Sequence, residues 1–230
     1  MYSIFIKSDI LLVMTSENKF PSSVFRLFRT HGVAEAIRAR CWYHLELCFY
    51  ACDEKNILTL PRHQFLRRDC FDDLHYYARD ERGQMSPDTF RRESTKRQAL
   101  GYHLYTIVQD GRMVFYAWLV DRQARSEDPM LGQVFFPPTD ASIIFDCFTR
   151  PADRGKGIYY RALCQMLHDA RDIAQARQVC MGVFADNPAS CRVIEKVGFR
   201  YIGSMIKHRR LFKTHRYPVA VNHKFKTALL

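Results

Sequence analysis

Arg154-Gly155-Lys156-Gly157-Ile158 stands between two apolar stretches of different periodicity, and its reading decides the fold. Upstream, Ile143-Ile144-Phe145-Asp146-Cys147-Phe148 is an apolar run broken by one acid, the pattern of a strand buried on both faces. Downstream, Ile158, Ala162, Leu163, Met166, Leu167, Ala170 and Ile173 fall on one stripe. Arg161, His168, Asp169, Arg171 and Asp172 face away from it, as in an amphipathic helix laid on a sheet. A strand that enters a helix through two glycines lets the backbone approach a ligand closely. The first helical amides have no internal acceptor, so with Arg154 and Lys156 the turn suits a pyrophosphate. Alone, Gly-x-Gly is also a common tight turn. The stretch lacks the Gly-Lys-Ser/Thr ending of a Walker loop and the third glycine of a dinucleotide fold.

Working outward, His103-Leu104-Tyr105-Thr106-Ile107-Val108 and Met113 to Val120 flank Asp110-Gly111, the signature of a β-hairpin with a turn at positive φ. Val179 to Phe184 reads as a further buried strand. Leu45 to Ala51 reads as a strand too, with a helix as the alternative. Asn187-Pro188 opens a short helix by capping and by proline at its first position, and Gly198 closes it. Residues 64–99 look helical in two pieces, broken near Gly83 to Pro87. Asp121 to Asp140 is long for an unstructured connection, and Phe135-Phe136-Pro137-Pro138 predicts that it docks as a lid or binding wall.

Thirty residues after Gly157, Asn187-Pro188-Ala189-Ser190 runs into Glu195-Lys196-Val197-Gly198-Phe199. With the glycine turn, this pair of motifs resembles the GNAT superfamily of N-acetyltransferases. Its acetyl-CoA signature is Gln/Arg-x-x-Gly-x-Gly/Ala, followed by an Asn-x-x-Ser/Ala stretch and Glu-Lys-x-Gly-Phe. The resemblance covers residues 42–217 in order of elements and 141–203 in specific motifs. It implies an α/β (α+β) fold with a mixed, mostly antiparallel central sheet flanked by helices. Residues 1–40 then read as an N-terminal extension and 41–230 as the acyltransferase domain.

The resemblance also implies roles. Backbone groups of Cys147, Phe148 and Thr149 would pair with the pantetheine arm. Amides of Arg154, Gly155, Lys156, Gly157, Ile158 and Tyr159 would hold the pyrophosphate, and Asn187 would bond further along the arm. Acetyl-CoA is the implied co-substrate, with no metal, and the reaction is direct attack of a primary amine. Two positions depart from the pattern: Tyr159 replaces a small residue, and Ile194 stands where many members keep a tyrosine that protonates the leaving thiolate. A general base is needed because a protonated amine cannot attack. Asp146, the lone charge in an apolar strand, is the candidate, with a structural ion pair as its alternative; His103, His208 and His215 are others.

Composition narrows the rest. Hydrophobic residues make up 47% and charged ones 26%, ordinary for a globular chain. No stretch approaches the roughly 20 apolar residues of a membrane span, and Asp9 interrupts the only N-terminal apolar region that a signal peptide would need. Eight scattered cysteines without a Cys-x-x-Cys read as reduced thiols of a cytoplasmic protein. Net charge is +11, and no acid follows Glu195 while Lys207, Arg209, Arg210, Lys213 and Arg216 do. Coenzyme A accounts for part of that charge. The remainder predicts an anionic small-molecule amine, such as a nucleotide-linked amino sugar of surface-polysaccharide synthesis, rather than a polyamine. Protein amino groups and a non-catalytic acyl-CoA-binding module are the alternatives. No nucleic-acid motif occurs, so neither nucleic acid nor membrane is expected as a partner, while a homodimer remains compatible with the chain.

Overall fold

A central eight-stranded sheet organises the computed structural model, which describes residues 42–81, 84–122, 125–128, 130–138, 140–210, 213–220 and 226–229. The N-terminal extension read over 1–40 lies outside the described residues. The strands are β1 (Trp42–Asp53), β2 (Arg67–Arg68), β3 (His103–Gln109), β4 (Arg112–Val120), β5 (Ser126–Asp128), β6 (Gln133–Phe136), β7 (Ala141–Thr149), β8 (Gln178–Phe184), β9 (Arg200–Arg210), β10 (Lys213–Ala220) and β11 (Lys226–Leu229). The helices are α1 (Glu54–Thr59), α2 (Pro87–Ala99), α3 (Ile158–Asp172) and α4 (Pro188–Val197). The large sheet runs β10-β9-β1-β8-β7-β4-β3-β2, and β11-β6-β5 form a second, smaller sheet. Among the described residues every strand pair is antiparallel except β7 with β8. The mixed, mostly antiparallel sheet flanked by helices is the fold that the motifs implied.

Alternation along β1 shows how one strand serves two layers. Cys48, Tyr50 and Cys52 join the core under α3 and α4, whereas Leu45, Leu47 and Phe49 join the core on the opposite face. On the first face α3 buries Ala162, Leu163, Met166, Leu167 and Ala170 completely. Each of the larger side chains there contributes about 1.5–3 kcal/mol by leaving water. The opposite face is covered by α2 and by the small sheet, whose Phe135 lies 4.5 Å from Phe49, ring centre to ring centre.

Local chemistry explains the boundaries. Asp110 and Gly111 both take positive φ (51° and 66°), as the tight β3–β4 turn demands. Ser86 caps α2 through the Thr89 amide with Pro87 behind it, and Asn187 caps α4 through the Ser190 amide. Gly198 ends α4 at φ 102°.

Two expectations change. The described residues of 64–86 do not form a first α-helix: β2 pairs with β3, and a 3-10 turn, Phe71–Tyr76, follows. Asp69 is the reason, since its carboxylate accepts from the Leu104 amide at 3.0 Å and bonds His103 at 2.8 Å, tying the segment to β3. The 121–140 connection is likewise not irregular, because it contains β5 and β6. Among the described residues no helix is long and apolar enough to cross a membrane.

Candidate active site

The site begins where β7 and β8 part. Their parallel ladder runs from Ala141–Gln178 to Ile144–Met181 and stops there. On its other side β7 pairs with β4 through Phe145–Trp118 and then Phe148–Tyr116, so one extra β7 residue is inserted. Asp146 sits in that bulge at φ 49°. An inserted residue bends a strand and increases its twist, and the bend turns Cys147, Phe148 and Thr149 away from β8. These are the residues whose backbone the motif assigned to a pantetheine arm.

The glycine turn lies just beyond. Gly155 and Gly157 both adopt left-handed backbone (φ 78° and 73°), and a β-carbon built on either would point into open space. Gly157 is the N-cap of α3 and supplies no side-chain cap. The other α-helices are capped by Asp53, Ser86 and Asn187. Among the described residues α3 is thus the α-helix whose N-terminus lacks a side-chain cap, and it opens onto a cradle of bare backbone, the arrangement that accommodates a phosphate. This is the fit that a coenzyme pyrophosphate requires.

The flanking cations are held close by. Lys156 bonds Asp153 at 2.6 Å, and Arg154 bonds Glu81 at 2.9 Å while its Nε donates to the Thr149 carbonyl. Asp153 also receives Arg150 Nε, at 2.5 Å, and the two partners, Arg150 first and then Lys156, hold its carboxyl below the usual carboxylate range. The turn is thus fixed from beneath by Asp153.

Tyr159, the large residue in a position the pattern keeps small, points inward and is buried. Its hydroxyl accepts from the Ser190 hydroxyl of α4 at 3.2 Å. Burial pushes both the Tyr159 hydroxyl and the Cys147 thiol well above their ordinary pKa. Ile194 is completely buried in the same core. Tyr159 on α3 and Ile194 on α4 thus share one packed layer between helices and sheet. Asn187 spends its carboxamide oxygen on the α4 cap, 3.2 Å from the Ser190 amide.

Asp146 faces the other side of the sheet. It is 2% exposed and pairs with Arg97 of α2 at 2.6 Å. The Arg97 guanidinium lies 5.0 Å from the centres of both the Trp118 and Phe145 rings, a geometry that favours a cation. Arg97, with Asp146 behind it and outside the lining, forms part of the wall of a pocket of about 600 Å³. Phe145 and Gly182, the residues at which β7 and β8 separate, form part of its lining. Leu47, Phe49, Tyr102, Val120 and Ile143 add apolar walls, and Arg125, Ser126, Glu127, Asp128 and Phe135 come from the 121–140 connection. Of the aromatics and prolines that predicted docking of this connection, Phe135 is the one in the lining.

His103, His208 and His215 do not line this pocket. His103 is engaged by Asp69 and Asp121, and His208 and His215 lie opposite each other on β9 and β10, in one row with His44 of β1. Among the described residues no group of His, Cys, Asp or Glu is placed to hold a metal ion. Sequence reasoning missed Arg97 and the β1 contribution. Arg97 follows Phe90 and Ser94 on the buried face of α2, so a cation on that face was the available signal; nothing in the order of elements reveals that β1 lies between β8 and β9.

The acetyltransferase (GNAT) domain family matches residues 64–200, well over half of the chain, and the chain belongs to that family. No curated protein sequence matches it. Among solved structures it is similar to a conserved protein of unknown function from Staphylococcus epidermidis, at 13% identity and a TM-score of 0.50, over 85% of this chain and 69% of that one. It is also similar to an acetyltransferase of the GNAT family from Colwellia psychrerythraea (14% identity, TM-score 0.49), over 83% of this chain and 63% of that one. A third is the ribosomal-protein-alanine N-acetyltransferase from Brucella melitensis (17% identity, TM-score 0.46), over 73% of this chain and all of that one. The chain spans less than two thirds of the Colwellia protein. At 13% identity the likeness to the Staphylococcus protein is one of fold.

Proposed function

We propose that the protein is an N-acyltransferase that uses acetyl-CoA to acylate a primary amine by direct attack. One observation carries this reading: the uncapped, glycine-lined N-terminus of α3 adjoins the parting of β7 and β8, and the same parting lines the pocket on the opposite face. Backbone amides of residues 155–159 hold the pyrophosphate, without the Arg154 amide that the motif included, since it donates to the Pro151 carbonyl at 3.2 Å. The bent segment Cys147–Thr149 receives the arm as an added strand. When bound, acetyl-CoA supplies the activated acetyl group. The amine arrives through the pocket, and Asp146 acts as its base, on a carboxylate that Arg97 holds in place. Family membership and fold support the class of reaction; the roles of these residues are proposals. The test is calorimetric titration of coenzyme A into the wild type and Gly157→Trp. Affinity lost in a folded variant supports the cradle, and unchanged affinity removes the coenzyme assignment. Asp146→Asn is expected to slow transfer with coenzyme affinity unchanged, whereas wild-type turnover makes Asp146 structural.

A second reading, an acyl-CoA-binding module without turnover, is favoured by one pair of residues. Tyr159 and Ile194 fill the layer between α3, α4 and β7, and Ile194 brings no hydroxyl to it. Binding of acetyl-CoA without thiol release across a panel of amines is the outcome that selects this reading.

A further inference from the structure

The pocket at the parting of β7 and β8 has a lining chemistry that the excess positive charge of the chain did not foretell. We infer that the acceptor is a primary amine with a large apolar body, of the arylalkyl type, and not a polyanion. The inference rests on the acyltransferase reading for the word acceptor, but its physical basis is the pocket alone.

Three observations carry it. First, the lining is apolar on three sides: Leu47 and Phe49 from β1, Ile143 and Phe145 from β7, Val120 from β4 and Phe135 from the small sheet. A volume of about 600 Å³ lies in the range of sites that enclose a small molecule mostly by apolar contact. Second, the wall has no surplus of cations. Arg97 is paired with Asp146 at 2.6 Å and Arg125 with Glu127 at 3.9 Å. Asp128, 5% exposed, adds a further carboxyl, held by the Met130 and Leu131 amides at 2.9 and 2.8 Å. The charged residues of the lining, Arg97 and Arg125 against Glu127 and Asp128, balance one another, so the pocket offers a polyanion no net attraction and favours an apolar body. Third, the basic β9–β10 hairpin is occupied elsewhere. Lys207 donates to the Met130 carbonyl at 2.6 Å and Arg216 to the Leu131 carbonyl at 3.2 Å. Arg209 lies over the Tyr43 ring and bonds Thr214. These three cations hold the 130–132 turn and the hairpin itself. The acid-free segment is therefore in part a fastening for the pocket wall, and the anionic acceptor inferred from it loses its main support.

The experiment is ligand-observed NMR and calorimetry on the wild-type protein with 2-phenylethylamine, UDP-glucosamine and spermidine, each with and without coenzyme A. Saturable binding of 2-phenylethylamine, uncompeted by UDP-glucosamine, is expected. Phe135→Leu should weaken it roughly 10-fold or more, in line with the worth of a few methylene groups in an apolar pocket, while coenzyme A affinity stays within about twofold. Binding of UDP-glucosamine or spermidine in place of 2-phenylethylamine overturns the inference, and so does an unchanged affinity in a folded Phe135→Leu. The wild-type panel decides the matter even if the variant does not fold. Binding of 2-phenylethylamine by a protein that never binds coenzyme A supports the pocket and refutes the acyltransferase reading, so the two failures are separable.

Discussion

Replacing Arg97 by methionine probes the joint between the fold and the chemistry. The guanidinium pairs with Asp146 at 2.6 Å, and the side chains of the two are 10% and 1% exposed. Removing one partner of a buried pair leaves a charge without compensation, which costs about 3–5 kcal/mol. Loss of the cation from between Trp118 and Phe145 adds roughly 0.5–2 kcal/mol. For a domain of this size each kcal/mol lowers Tm by about 2–4 °C, so Arg97→Met should melt roughly 7–28 °C below wild type. The double variant Arg97→Met/Asp146→Asn removes both charges. It should recover ~1–3 kcal/mol relative to the single variant, because the buried carboxylate that has lost Arg97 is gone. Urea unfolding at neutral pH, followed by circular dichroism, measures all corners of this cycle. A cost below about 1 kcal/mol for Arg97→Met, or no coupling between the two sites, refutes the view that the pair holds α2 on β7.

Gly157→Ala places a methyl group at φ 73°, a strain of about 1–2 kcal/mol, and points it into the cradle; coenzyme A affinity by calorimetry should fall at least 10-fold while the variant remains folded. Asp153→Asn removes a carboxylate whose pKa Arg150 and Lys156 lower. That depressed pKa contributes stability above the unfolded value near 3.9 that is lost as pH falls through the folded one. The gap in Tm between wild type and variant should therefore narrow on acidification from pH 5 to 2.5, and a gap independent of pH counts against the pairing. Ile194→Tyr would restore a hydroxyl to α4, but Ile194 is fully buried beside Tyr159 in one core. Overpacking should cost about 1–3 kcal/mol, read by urea unfolding, and an undisturbed variant would mean that this layer is looser than its burial indicates.

The legible parts of the molecule were those governed by local chemistry. Asp110-Gly111, Asn187-Pro188, Gly198 and the Gly155–Gly157 turn each impose a backbone conformation of their own, and each stands in the fold where its residue types place it. The α3 stripe was legible from Ile158 to Ala170 because amphipathic periodicity reports burial, whereas Ile173, placed on it, is exposed and His168, placed on the opposite face, is buried against the Leu60 carbonyl. What escaped depends on distant partners. Asp69 ties the 64–86 segment to β3 through side-chain bonds that no window of sequence reveals. The seat of β1 between β8 and β9 is a matter of topology, with Leu47 and Phe49 carried into the pocket by it. Charge was the least legible signal: Lys207 and Arg216 read only as a surplus, and the fold shows that each also donates to a carbonyl of the 130–132 turn. Asp146 lay between these cases. Its isolation in an apolar strand marked it as special, and only the fold supplies Arg97 as its partner.

The central claim is acyl transfer at the parting of β7 and β8. Its most direct measurement is thiol release from acetyl-CoA with each of several primary amines, followed by mass detection of the acylated product. The account predicts amine-dependent thiol release with one acetyl group gained per thiol freed, abolished in Gly157→Trp. Tight binding of acetyl-CoA with no thiol released for any amine would contradict it.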